Sequence, residues 1–326
     1  MYDNIISLDN LLIAWQEFLC GKKNKKDTRE FGRNLMRNII ALHNDLKNKT
    51  YKHGEYKSFK ISDPKPRDIH KSSVRDRLLH HAIYRVLYPY FDKGFIYDSY
   101  SCRLGKGTHK ANKRFKSFAG KVSKNYTRTC WILKCDIRKF FANIDHKILI
   151  DILRKHIEDE NTIWLLEQVT SSYNAKGRDE VGLPLGNLTS QLLVNVYMNE
   201  FDHFVKHTLH EEYYIRYADD FVFMSEDKAK LEKIIPKISE FLENNLKLSL
   251  HPDKLFINTL TSGLDFLGWI HFERHRVLRT TTKKRMFRNI VEKVGKKETV
   301  QSYLGMLKHG NSRKIKDRIA KIINVD

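Results

Sequence analysis

Two adjacent carboxylates, Asp219 and Asp220, interrupt an otherwise apolar run from Tyr214 to Met224, and this constrains the fold more than any other feature of the chain. Strand formers flank them, Tyr214-Ile215-Arg216-Tyr217 before and Phe221-Val222-Phe223-Met224 after. The spacing predicts a β-hairpin with the acidic pair in its turn. Like charges at a tight turn repel, and a divalent cation removes that penalty; Mg²⁺ prefers carboxylate oxygens. A solvated Asp-Asp turn is the other reading of the same residues.

A second acid closes a second strand. Trp131 to Ile137 alternates so that Ile132, Lys134 and Asp136 share one face and Leu133, Cys135 and Ile137 the other. Two strand-borne acidic sites separated by a helix-rich stretch meet the requirement of a two-metal phosphoryl-transfer centre. One ion activates a 3′-hydroxyl, the other holds the triphosphate and leaving oxygen, and the pair stands roughly 4 Å apart. Strand ends hold ligands rigidly. The backbone carbonyl of Ile137 is a further candidate oxygen ligand.

Charge narrows the partners. The 326 residues carry 60 Lys+Arg against 39 Asp+Glu, a net charge of +21, which points to a polyanion, nucleic acid first and anionic membrane second. With 41% hydrophobic and 11% aromatic residues, the chain is a folded basic protein of two or three subdomains, not a disordered basic tail. Cys20, Cys102, Cys130 and Cys135 form no C-x-x-C pair, so zinc is not expected and reduced thiols of a cytoplasmic protein are. The start Met1-Tyr2-Asp3-Asn4 has no basic and apolar leader pattern, and no apolar run has membrane-spanning length; neither secretion nor membrane insertion is expected.

Along the chain, Leu8, Leu11, Leu12, Trp15, Phe18 and Leu19 after Ser7, and then Leu35, Ile39, Leu42 and Leu46, predict two helices joined by the basic linker 22–26. Lys57 to Ile69 reads as a strand or hairpin around Pro64-Lys65-Pro66-Arg67, and Val74 to Leu87 as a helix. A helix capped near Asp145 follows the 131–137 strand. The turn Gly182-Leu183-Pro184-Leu185-Gly186 precedes a helix from about Thr189 to Lys206. Lys228 to Leu246 is helical with Pro236 inside it, and the basic tail after Arg279 is helical.

Four segments in order carry a resemblance: Asp136-Ile137-Arg138-Lys139-Phe140-Phe141, Gly182 to Gln191, Tyr217-Ala218-Asp219-Asp220, and Leu264-Asp265-Phe266-Leu267-Gly268. In order and spacing the chain resembles a reverse transcriptase from about Lys57 to Arg279. The resemblance implies an α+β right-hand polymerase: an N-terminal helical extension (1–56), fingers and a palm with an antiparallel sheet and packed helices (57–270), and a helical basic thumb (271–326). It implies an RNA-directed DNA polymerase, a nucleotidyltransferase using two Mg²⁺ ions, with Mn²⁺ as a substitute. The partners implied are template RNA, the nascent cDNA primer end and dNTPs.

The resemblance also implies roles. Asp136 and Asp219 would bind both metals, with Asp220 a third ligand and Ile137 a carbonyl ligand. Phe141 would pack under the deoxyribose, and Lys65 and Arg67 would hold the triphosphate. Leu185, Gly186 and Gln191 would shape the nucleotide pocket, and Lys254 would protonate the leaving pyrophosphate. Phe266, Leu267 and Gly268 resemble a primer grip.

Many relatives carry glutamine where this chain has Leu185, and group II intron enzymes carry Ser-Pro where it has Ser190-Gln191. With Ser101-Cys102-Arg103 followed by Gly105-Lys106-Gly107-Thr108-His109, these departures resemble the enzymes of diversity-generating retroelements in bacteria and phages. The compact length agrees with that type, which implies error-prone copying at adenines and a small basic accessory protein. The alternatives are a group II intron-like, retron or antiviral-defence reverse transcriptase, or a catalytically silent RNA-binding scaffold. No helix-turn-helix, finger or zipper pattern supports a generic DNA-binding protein.

Overall fold

The structure, a computed structural model, describes residues 1–62, 66–175, 177–292 and 297–323. Helix α1 (Tyr2–Ile6) stops at Ser7, whose hydroxyl accepts the Asn10 amide hydrogen and starts α2 (Leu8–Leu19). Leu11, Ala14, Trp15 and Phe18 form its buried stripe. After α3 (Lys26–Arg33), α4 (Leu35–Lys47) buries Ile39, Leu42 and Leu46. The N-terminal segment therefore holds four helices, not two. The additional two are short, and α3 buries only Thr28, so neither shows an apolar period.

Strands β1 (Lys57–Ile61) and β2 (Arg67–Lys71) pair antiparallel. Ser73 caps α5 (Val74–Asp92), which passes Pro89 and ends five residues beyond Leu87. Helix α6 (Thr108–Val122) has no counterpart among the sequence expectations, because its buried Ala111, Phe115, Phe118 and Val122 are interspersed with basic residues. Strand β3 (Trp131–Asp136) follows, and the Asp145 carboxylate accepts from Ile148 N to open α7 (His146–Arg154). Then come α8 (Glu160–Thr170) and α9 (Leu188–His203), the latter running into a π turn at Phe204–Thr208. The expected hairpin is β4 (Tyr214–Tyr217) and β5 (Asp220–Ser225), followed by α10 (Lys228–Leu246). Strands β6 (Phe256–Thr259), β7 (Leu264–Phe266), β8 (Trp269–His271) and β9 (Arg276–Leu278) precede α11 (Thr280–Glu292), α12 (Lys297–Leu307) and α13 (Arg313–Ile323).

Two compact units interleave along the chain. The first comprises Met1–Cys102, Ile137–His210 and Ile238–Leu250, and packs α5 against α2 and α9. The second comprises Arg103–Asp136, Glu211–Lys237 and His251–Asp326. It holds an antiparallel sheet in the order β4-β5-β3-β6 and a smaller sheet β7-β8-β9. Residues 221–224 of β5 are buried on both faces of the strand, which explains its unbroken apolar run. Trp269, Leu278, Met286, Ile290, Leu307 and Ile319 make a separate core for the C-terminal helices. Among the described residues no helix is long and apolar enough to cross a membrane.

Candidate active site

Strand register builds the site. Antiparallel β3 and β5 place Asp136 directly opposite Asp220, at the end of β3 where β5 begins. Tyr217 pairs with Asp220, so the hairpin loop is only Ala218 and Asp219, and Asp220 opens the strand instead of sharing the turn as expected. A two-residue connection is the favoured hairpin closure, and it puts Asp219 at the tip. Ala218 adopts φ +58°, a left-handed conformation that strains a residue with a Cβ. Below it Arg216, fully buried, donates from Nη1 to the Ala218 carbonyl at 3.2 Å. That brace was not foreseen; the only trace in the sequence is a charge inside an apolar strand.

Two lysines face the acids. Lys254, on a 3₁₀ turn at Pro252–Lys254, donates to Asp136 Oδ1 at 2.8 Å. The Asp136 carbonyl accepts from His251 N at 2.8 Å, holding that turn against β3. Lys134, two residues before Asp136 on the same strand face, has its Nζ 3.4 Å from Asp220 Oδ2 and donates to the Asp265 carbonyl at 2.7 Å. No role had been assigned to Lys134, although a lysine inside so apolar a strand is itself a signal.

Burial raises the Asp220 carboxyl to about 6; Lys134 opposes the shift, and Asp219 and Asp136 add to it. Burial, with Asp220 as a secondary cause, also pushes the Cys135 thiol up, so it is not a reactive thiolate. The Asp220 shift fixes a pH dependence. Between the ordinary carboxylate value and about 6 the folded protein keeps a proton that the unfolded chain has lost, so rising pH lowers stability through that window. Asp220→Asn should flatten this part of the curve by about 2 kcal/mol. Urea unfolding in EDTA at pH 4.5 and pH 7 checks it, and identical slopes for variant and parent would refute the assignment.

Asp220 Oδ1 is buried and accepts no hydrogen bond from the described residues. An oxygen acceptor facing a second carboxylate suits a hard cation such as Mg²⁺, and the donor set is all oxygen. Among the described residues no three Asp, Glu, His or Cys side chains form a ready-made cage; ammonium groups stand against Asp136 and Asp220 instead.

The remaining predicted residues divide between the units. Asp136, Asp219, Asp220, Lys254 and the Phe266-Leu267-Gly268 segment lie in the second. Leu267 (φ +51°) and Gly268 (φ +87°) form the two-residue turn from β7 to β8. Phe266 is buried against Phe115, ring centroids 5.6 Å apart, so its side chain is core. Ile137, in the first unit, forms an isolated bridge with Leu250. In the same unit the Phe141 carbonyl accepts from Leu183 N at 2.7 Å and the Leu185 carbonyl from His70 N at 3.1 Å. Gly186 has φ +108°, and a Cβ there would stand 3.1 Å from Ile69, so the turn needs glycine. Gln191 shares a cavity of about 420 Å³ with Ile69, Lys71 and Gly186. Arg67 is the exposed first residue of β2, and Lys65 lies outside the described residues.

A family model described as reverse transcriptase (RNA-dependent DNA polymerase) matches residues 57–271. Protein YkfC of Escherichia coli (strain K12) is 27% identical over 266 residues, 68% of this chain and 66% of that protein. The group II intron-encoded protein LtrA of Lactococcus lactis is 23% identical over 302 residues, 72% of this chain and 49% of its own length. The telomerase of Candida tropicalis, solved in complex with a fragment of telomeric RNA, superposes with a TM-score of 0.55 at 13% identity, over 88% of this chain and 58% of that one. The last likeness is one of fold, and the fold it supports is the α+β right-hand polymerase. The chain spans about two thirds or less of the length of these relatives.

Proposed function

Because this chain belongs to the reverse transcriptase (RNA-dependent DNA polymerase) family, we propose that it copies an RNA template into DNA at the carboxylate cluster of β3 and the β4–β5 turn. The observation that carries this reading is the register that sets Asp136 against Asp220 with Asp219 at the adjoining tip. Asp136, Asp219 and Asp220 would hold Mg²⁺, which when bound activates the primer 3′-hydroxyl and neutralises the triphosphate. Lys254, which donates from Nζ to Asp136 Oδ1, would serve as donor to the pyrophosphate oxygen that leaves. Lys134 ties Asp220 to the β7 backbone, so the acids and the β7–β8 turn keep one geometry. The test is Mg²⁺-dependent dNTP incorporation on a primed RNA template, with Mn²⁺ in parallel.

The finer reading is error-prone copying of the diversity-generating type, with a small basic accessory protein in a bacterial or phage cytoplasm. Its support is Leu185. Held by its carbonyl to β2, it presents an aliphatic side chain where many relatives carry an amide, and a pocket without that hydrogen bond discriminates less. Leu185→Gln should lower misincorporation opposite template adenines on the order of tenfold, the equivalent of one hydrogen bond. Sequencing cDNA made on a known RNA reads this out; an unchanged adenine error rate removes the explanation. The similarity to group II intron-encoded proteins favours a second reading, an intron-type enzyme. It expects no excess of errors opposite template adenines in the same cDNA.

A further inference from the structure

We infer that the second unit carries, apart from the carboxylate cluster, a track along α6 that binds single-stranded RNA and receives one unpaired nucleotide. A cavity of about 590 Å³ opens among α6, the β8–β9 loop and the turn between α12 and α13, all within that unit. Its volume suits a nucleotide. Lys110, Lys113 and Lys116 line it from α6, Arg274 from the loop and Lys308 from the turn, against one acid among the described residues, Glu273. None of these five cations has a carboxylate partner among the described residues. Like charges gathered around one cavity repel, and a polyanion relieves that repulsion.

Two further observations point into the same space. Asn112, one of the cavity's lining residues, is 1% exposed and meets His271 Nε2 through Oδ1 at 3.1 Å, while its buried Nδ2 has no acceptor among the described residues. A buried donor left unpaired is costly, and a ligand oxygen would satisfy it. The rings of His109 and His309 stack at 3.8 Å with 28° between their planes, offering a flat surface of the kind on which unpaired bases stack. Burial, then His109 and the charges of Arg276 and Lys308, lowers the His309 imidazole. Asn311 N donates to the Arg276 carbonyl at 2.8 Å, so the turn bearing His309 is held against β9.

A polymer fits better than a free nucleotide. A second cavity of about 620 Å³ shares Lys113, Lys116 and Tyr126 with the first and adds Lys121 and Lys124. The basic row from Lys110 to Lys121 covers about 16 Å of helix, enough for several linked phosphates. The choice of RNA as the polymer rests on the RNA-copying reading above.

The test uses the full chain in an Asp219→Ala background, with a labelled unstructured RNA of about 16 nucleotides. Lys113→Glu with Lys116→Glu, and separately Arg274→Glu on another element, should each weaken binding about tenfold. The slope of log affinity against log salt should become shallower by about 1.4 for the double variant and about 0.7 for the single. Ultraviolet crosslinks should map to His109 and His309. Unchanged affinity and slope in both variants would overturn the track, as would ATP competing as well as the RNA, or crosslinks that form only with an RNA–DNA duplex. Since binding is measured without turnover, such a failure is distinct from absence of dNTP incorporation by the parent protein, which would instead sink the polymerase reading.

Discussion

Asp219→Ala is expected to reduce Mg²⁺-dependent dNTP incorporation by at least about 10³-fold, or about 4 kcal/mol of transition-state stabilisation, while RNA affinity stays within about twofold. Asp219 stands at the hairpin tip, raised on the strained Ala218 and braced by Arg216, and a carboxylate held on a rigid element positions a metal without reorganisation. RNA binding depends on many phosphate contacts, and removing one acid from a chain of net charge +21 changes little of that field. Single-turnover incorporation and a filter-binding titration on the same preparation separate the two effects. Retention of incorporation within tenfold of the parent would rule out Asp219 as a metal ligand.

Lys134→Met is expected to destabilise the protein by about 3 kcal/mol at pH 8 in EDTA, because it leaves Asp220 largely buried beside two other acids and strips the Asp265 carbonyl of its donor. The loss should shrink below pH 5, where Asp220 carries its proton. Adding Asp220→Asn should recover most of it, and the non-additivity of the double-mutant cycle measures the pairing directly. Raising Mg²⁺ should also recover part, since a cation bound only by the folded state stabilises it. Urea midpoints give all four values; strictly additive losses would show that Lys134 acts by packing alone.

How far the chain could be read before folding depended on whether local pattern or distant partners set each feature. The hairpin was legible because strand formers on both sides of two acids leave few alternatives, and the 131–136 strand because alternation shows in six residues. Helix α6 was not, since its apolar stripe is broken up by lysines that have their own use as a cationic face. Strands β7, β8 and β9, of three residues each, are too short to show a period, so β9 falls in the stretch expected to be helical from residue 271. Lys134 was placed on the face of Asp136, but its partners lie 86 and 131 residues further along the chain.

By itself the order of residues determined which groups are available: three acids, two of them adjacent, an aliphatic residue in a glycine-bounded turn, and a large excess of cations. Only the tertiary structure decided which of them meet. Asp136 opposes Asp220 because β3 and β5 pair in one register, and a slip of one residue would send one of the two carboxylates to the opposite face of the sheet. The two-residue turn at Ala218 fixes only the β4–β5 register; the β3–β5 register brings together strands far apart along the chain, and that long-range pairing is a property of the folded chain that no local segment contains.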